Sequence, residues 1–199
     1  MPADVSIPTN AFAAVIFVHG SGSSRLSPRN RRVAADLNAA DLATILFDLL
    51  TPEEAADRRN VFDIALLGER VDQAVAFAQS DSRLDRLPIG LFGASTGAAA
   101  ALVSAARSGA DIAAVVSRGG RPDMAGDALP LVRAPTLLIV GGSDEAVLEL
   151  NQKALRKLRC VKRLEVVPGA THLFEEPGTL DRVVDLATTW FGTHLRGPT

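Results

Sequence analysis

Five residues, Gly93-Ala94-Ser95-Thr96-Gly97, fit the pattern G-x-S-x-G. The apolar run 87–92 precedes them and an alanine-rich stretch, 98–107, follows. Strand, sharp turn and helix form the context in which this pattern presents a nucleophile: small flanking residues let the two backbone arms approach, and the serine hydroxyl projects above the sheet edge. The competing reading is a glycine-rich strand-to-helix turn with Ser95 as a helix cap. A hydroxyl attacks well only when a base takes its proton. The chain has three histidines, His19, His172 and His194. His172 lies in the loop 168–174 after the strand-like run 163–167, where a late strand delivers it to the carboxyl edge of a sheet. His194 sits in a polar tail, 192–199, and reads as a solvated side chain. His19 directly follows an apolar strand.

The acid that orients the base is expected between the serine and the histidine. Asp144 stands there, after the apolar run 137–140 and a Gly141-Gly142 turn. It can also cap the helix expected over 146–158. Asp123, in the loop after the strand 112–117, is its rival. Only the reading of Ser95, Asp144 and His172 as a triad explains all three positions, each at the end of an expected strand. Their chain order is that of α/β-hydrolases and not that of chymotrypsin or subtilisin. In that fold the amide after the nucleophile, here Thr96 N–H, donates to the oxyanion, and a loop after an early strand donates a second amide. The run 13–18 is that strand, and Ser21 in the loop 19–25 is the expected second donor. Gly20 gives this loop room to turn its amides inward, and His19 reads as a structural, hydrogen-bonded residue.

The elements that must hold these residues alternate. Strands are expected over 13–18, 43–48, 87–92, 112–117, 136–140 and 163–167, and helices over 29–40, 60–79, 97–107, 146–158 and 178–191. Residues 5–8 are a candidate edge strand. Short, continuously apolar strands are those of a parallel sheet covered by helices on both faces. The fold class is therefore α/β: a doubly wound, mainly parallel sheet of six to seven strands in one domain over residues 1–199. Caps in the α/β-hydrolase fold follow the strand after the elbow helix. The corresponding segment, 118–133, is short, so the site is expected to be open, bordered by loops such as 49–58, with little apolar wall.

The chain resembles α/β-hydrolases of the dienelactone-hydrolase-like group, in particular small serine hydrolases associated with phosphoribosyltransferases. The residues that carry the likeness are 19–25, 27–30, 47–54, 93–97, 117–122 and 141–144, and it spans about residues 12–192. Dienelactone hydrolases proper use a cysteine nucleophile where this elbow carries Ser95, so their lactone substrate is not carried over. The resemblance implies hydrolysis without a cofactor or metal, and a phosphoribosyltransferase as a candidate partner.

Composition sets the remaining bounds. The 199 residues are 47% hydrophobic and 22% charged, ordinary for a globular enzyme. A net charge of −2 offers no general attraction to nucleic acid or anionic membranes. One cysteine, Cys160, rules out an internal disulfide and cysteine-based metal spacing. With no secretory pattern in residues 1–10, a cytoplasmic location is expected. The loop 20–25 begins like a dinucleotide fingerprint but lacks its third glycine and the lysine of a P-loop. Glu53-Glu54 reads as a solvated helix start.

Arg25, Arg118 and Arg121 lie in loops at the carboxyl edge, where such sheets bind ligands. They are candidates for holding a substrate carboxylate or phosphate; the alternative is that they pair with Asp48 or Asp123 and hold loops in place. The expected activity is hydrolysis of small or short-chain carboxylic esters through an acyl-enzyme, with a homodimer as a candidate assembly. The same machinery could serve thioesters, amides or acyl transfer, and a non-catalytic binding protein of the same fold is the reading from a different class.

Overall fold

The computed structural model describes residues 2–107 and 112–196. One sheet of seven strands runs through it: β1 (Ala3–Ser6), β2 (Ala13–Val18), β3 (Leu42–Phe47), β4 (Ile89–Ala94), β5 (Ile112–Arg118), β6 (Thr136–Gly141) and β7 (Lys162–Val167). Their spatial order is β1-β3-β2-β4-β5-β6-β7. Six pair in parallel, and β1 pairs antiparallel with β3, Val5 opposite Ile45. The edge strand expected over 5–8 is thus found over 3–6.

Every residue of β2, β3, β4 and β6 is buried, because both faces are covered. The two faces separate by the period of two along each strand. Ala14, Ile16 and Val18 point into one core with Leu67, Val71 and Ala74 of α4 (Ile64–Ser80), Ala99–Leu102 of α5 (Thr96–Ala106) and Ala154 of α6 (Glu145–Lys157). Ala13, Val15 and Phe17 point into the other, with Val33 and Leu37 of α1 (Pro28–Ala39) and Val183, Ala187 and Phe191 of α7 (Thr179–Leu195). This is the doubly wound α/β sheet that the alternation of elements implies.

The centre of this packing is α5. Ala98, Ala99, Ala100, Ala101 and Leu102 are each 0% exposed. Small side chains let the helix axis lie close over the sheet. The same closeness requires Gly93, where a β-carbon would stand 2.5 Å from the Cα of Ala98.

Three segments differ from expectation. The loop expected over 49–58 holds α2 (Pro52–Ala56), and the helix expected over 60–79 is divided between α3 (Arg58–Phe62) and α4, because Asp57 and Asp63 leave helical geometry and accept the amides of Arg59 and Leu66 as caps. Glu54 closes a capping box with Thr51 in the first turn of α2. The segment 118–133 carries 3-10 turns over Pro122–Leu131, kinked at Gly126, with Leu129 buried. Helix α7 runs on to Leu195, which is buried, so residues 192–195 of the supposed polar tail are helical. His194 is not merely solvated: its ring lies 4.3 Å from that of Trp190, and partial burial lowers its pKa. Residues 197–199 of that tail lie outside the described residues.

Candidate active site

Parallel strands deliver their carboxyl ends to one edge, and every residue singled out for chemistry stands there. Ser95 links β4 to α5 with φ 50° and ψ −124°, a conformation that costs a non-glycine residue about 1–3 kcal/mol and persists only where the surroundings enforce it. The enforcement is visible. A β-carbon on Gly97 would lie 2.2 Å from the carbonyl oxygen of Val18, and one on Gly20 would lie 2.8 Å from Cβ of Ser95. The segment after β5 holds the turn from the other side: Arg121 N–H donates to the Ser95 carbonyl at 3.0 Å. The competing reading of Ser95 as a side-chain cap fails, since its hydroxyl makes no cap hydrogen bond.

His172 and Asp144 come together from the loops after β7 and β6. Nδ1 of His172 lies 2.7 Å from Oδ2 of Asp144. A carboxylate can only accept, so Nδ1 carries the hydrogen and Nε2 is left as the basic nitrogen. Asp144 begins α6 without making a side-chain cap, so its carboxylate is committed to the histidine. Asp123 is committed elsewhere, taking two hydrogen bonds from Arg121 at 2.9 Å. The His172 loop is itself pinned. Glu176 accepts from both the amide and the hydroxyl of Thr171, and these bonds hold its carboxyl below the usual range. Ser95 and His172 line one cleft of ≈ 600 Å³, together with the loop after β2 and the first turn of α1. The hydrogen bond of His172 is the one to Asp144, and none joins it to the Ser95 hydroxyl; a bond between nucleophile and base often tightens only as substrate binds.

His19 is structural. It lies on the buried side of its loop, accepts Leu49 N–H at Nε2 (3.1 Å) and donates from Nδ1 to the Gly20 carbonyl (3.0 Å). Burial lowers its pKa, so the ring is held neutral, as accepting the Leu49 amide requires.

The amide of Thr96, in the first turn of α5, has no intrahelical partner. The amide of Ser21 is not free: it donates to Oγ1 of Thr96 at 2.9 Å. Ser21, the expected second oxyanion donor, thus stands beside the elbow, its part-buried amide taking the acceptor within reach, a hydroxyl from the elbow itself.

Two of the three arginines follow the loop-holding alternative. Arg25 donates to Asp48 through its amide at 2.7 Å and its guanidinium at 2.5 Å, and Arg121 pairs with Asp123. Arg118 pairs with neither. Its Nη2 donates to Asn30 at 3.2 Å. The cleft that holds Ser95 has few apolar side chains in its lining, Leu26, Pro28, Ala94 and Leu173, in keeping with the expected open site. A second cleft of ≈ 270 Å³ shares the loop 20–24 with it and is lined by Leu49, Leu50, Pro52, Ala55, Val61 and Leu67. The short helices α2 and α3, which stand where a loop over 49–58 and the start of one long helix were expected, supply part of it.

Among the described residues, no cluster of His, Cys, Asp and Glu could hold a metal ion, and no helix is long and apolar enough to cross a membrane. Comparison with known proteins agrees with the geometry. A crystal structure of dienelactone hydrolase from Anabaena variabilis is 52% identical with TM-score 0.94, over 98% of this chain and 92% of that one. Est1E from Butyrivibrio proteoclasticus shares the fold at 16% identity, TM-score 0.82, over 98% and 94% of the two chains. Proteins from two Mycobacterium tuberculosis strains, provisionally named phosphoribosyl transferases, are 57% identical over 194 residues. The match takes in 98% of this chain but 44% of theirs, so the chain spans less than half the length of those relatives. The sequence profile of the dienelactone hydrolase family matches residues 10–189, nearly the whole sheet and its helices, and the chain is accordingly an α/β-hydrolase that belongs to the dienelactone hydrolase family.

Proposed function

We propose that the protein is a serine hydrolase that cleaves small or short-chain carboxylic esters through an acyl-enzyme. The observation that carries this reading is the strained Ser95 sharing a cleft with a His172 whose Nδ1 is held 2.7 Å from Asp144. Ser95 Oγ attacks the ester carbonyl as His172 Nε2 takes its proton, and Asp144 stabilises the imidazolium. The protonated imidazole then returns the proton to the departing alcohol. Water, deprotonated by the same nitrogen, hydrolyses the acyl-enzyme.

The oxyanion is held by Thr96 N–H and Ser21 N–H. A developing negative charge is a stronger acceptor than a hydroxyl, so the Ser21 amide moves from Thr96 Oγ1 to the oxyanion as the carbonyl is attacked. One such donor lowers the barrier by about 3 kcal/mol. The acyl group points to the apolar cleft beyond the loop 20–24, whose volume favours short chains.

The test is labelling by a fluorophosphonate, followed by peptide mass analysis. Rapid modification of the peptide that carries Ser95 is the expected result. A protein that neither labels nor hydrolyses p-nitrophenyl acetate or butyrate does not have this activity.

A further inference from the structure

We propose that the cleft beside Ser95 and His172 contains a subsite for an anionic oxygen group of the substrate, a carboxylate or a phosphate, built by Arg118 and Arg29 at the N-terminus of α1. The inference rests on the ester-hydrolase reading and adds to it the class of substrate.

Arg118 ends β5 and is 7% exposed. One of its three nitrogens, Nη2, bonds to Asn30; Nε and Nη1 are shielded from solvent and have no partner among the described residues. The other loop arginines, Arg25 and Arg121, each have a carboxylate. Arg118 has none within ion-pair distance among the described residues, and the charge that acts on it is that of Arg29, of the same sign. Burial, with a smaller contribution from Arg29, pushes its pKa down to about 10, which still leaves it a cation at neutral pH. A buried cation without a counter-ion is costly. An anion in the cleft that Arg118 lines would offset that cost.

The surroundings are arranged for one. Arg29 and Asn30, in the first turn of α1, line the same cleft as Arg118 and Ser95. The positive end of this 12-residue helix therefore faces it. Ser27 accepts the amide of Asn30 through its side chain and that of Arg31 through its carbonyl, leaving the Arg29 amide as the open donor of the turn. Arg29 also reaches Glu175 at 2.8 Å, a rim pair between exposed side chains that an incoming anion would displace. Asn30 is 3% exposed and fixes the Arg118 guanidinium against the helix.

Binding is read first without turnover, in the Ser95→Ala protein, as the shift of Tm with inorganic phosphate or succinate at constant ionic strength. A saturable rise with at least one anion is expected, lost in Arg118→Met and in Arg29→Gln. Phosphate alone or succinate alone identifies the group. Turnover is read with the active protein as the ratio of kcat/KM for 4-acetoxybenzoate over its neutral methyl ester, expected to be about tenfold and to fall towards unity in Arg29→Gln. No saturable shift with either anion, or the same shift in Arg29→Gln, overturns the subsite, and Arg29→Gln decides if Arg118→Met does not fold. Anion binding without ester hydrolysis would sink the esterase reading and leave the subsite standing. Ester hydrolysis without anion binding would do the reverse.

Discussion

Gly119 and His172 are in contact: a β-carbon on Gly119 would stand 2.9 Å from the His172 carbonyl oxygen and 3.7 Å from Nδ1. Gly119 also has φ +51°, so both its conformation and its missing side chain are used. Gly119→Ala is expected to lower stability by about 1–3 kcal/mol through backbone strain. Displacing the imidazole should cut kcat at least tenfold, on the order of the cost of misplacing a reacting group by a fraction of an ångström. A urea titration and steady-state kinetics on one preparation separate the two effects. An unchanged kcat would show that the His172 loop does not lean on Gly119.

Ser95→Ala should keep the fold and lower ester hydrolysis by a factor on the order of 10⁴ or more. Removing Oγ leaves the glycine contacts and the backbone bonds from Arg121 and Ala98 intact. Intact mass after fluorophosphonate treatment should show one adduct on the parent protein and none on the variant. An adduct that survives the substitution would place the nucleophile elsewhere.

The two aspartates make opposite predictions. Asp144→Asn presents an amide to Nδ1 of His172 and disturbs the tautomer, and kcat should fall on the order of 10³–10⁴-fold. Asp123→Asn weakens only a pairing with Arg121 and should change kcat less than threefold, since a partly exposed ion pair is worth about 0–1 kcal/mol. Comparable losses in both variants would return Asp123 to contention.

Acid stability should depend on His19. Its folded pKa lies below the ordinary value of 6.5, so the unfolded chain binds more protons between the two values. Stability therefore rises with pH through that window and is fully present above about pH 6.5. It falls as pH drops towards the folded pKa, by at most about 1.4 kcal/mol per pH unit for one group. Urea midpoints between pH 7.5 and 5 should show this slope, and His19→Asn should flatten it. His194 is shifted in the same direction, so an unaltered slope in His19→Asn would assign the effect to the carboxyl-terminal helix.

Where the signal was local, the sequence was readable. The six parallel strands, the glycines around Ser95 and the order of Ser95, Asp144 and His172 each follow from short runs of residue types. The breaks between α2, α3 and α4 were also local, but their markers were hidden: Asp57 by the helix formers Ala55, Ala56, Arg58 and Arg59, and Asp63 by the apolar pattern that continues through Ile64. Helix α7 ran past its expected end because Leu195 is buried and Trp190 and His194 lie together, which the polar composition of 192–199 concealed. The remaining relationships join distant positions: Arg118 with Asn30, 88 residues apart, and Ser21 with Thr96, 75 apart. No periodicity or spacing encodes such a pair. Three arginines of similar local context were therefore indistinguishable until the fold gave two of them a carboxylate and left the third without one.

The alanine row of α5 has a consequence for how this protein can change over generations. Ala98 to Ala101 are closed off on every side, by the sheet below and by α4 and the 3-10 segment beside them. A larger side chain at any of the four has no direction in which to relieve itself, and overpacking of this kind costs about 1–3 kcal/mol. The helix whose first residue follows Ser95 would also move, and Ser95 with it. Surface loops and the exposed faces of α1, α4 and α6 can accept substitutions freely, whereas α5 can drift only among the smallest residues. In a random mutant library selected for soluble protein alone, with no demand for activity, this stretch should still emerge almost unchanged.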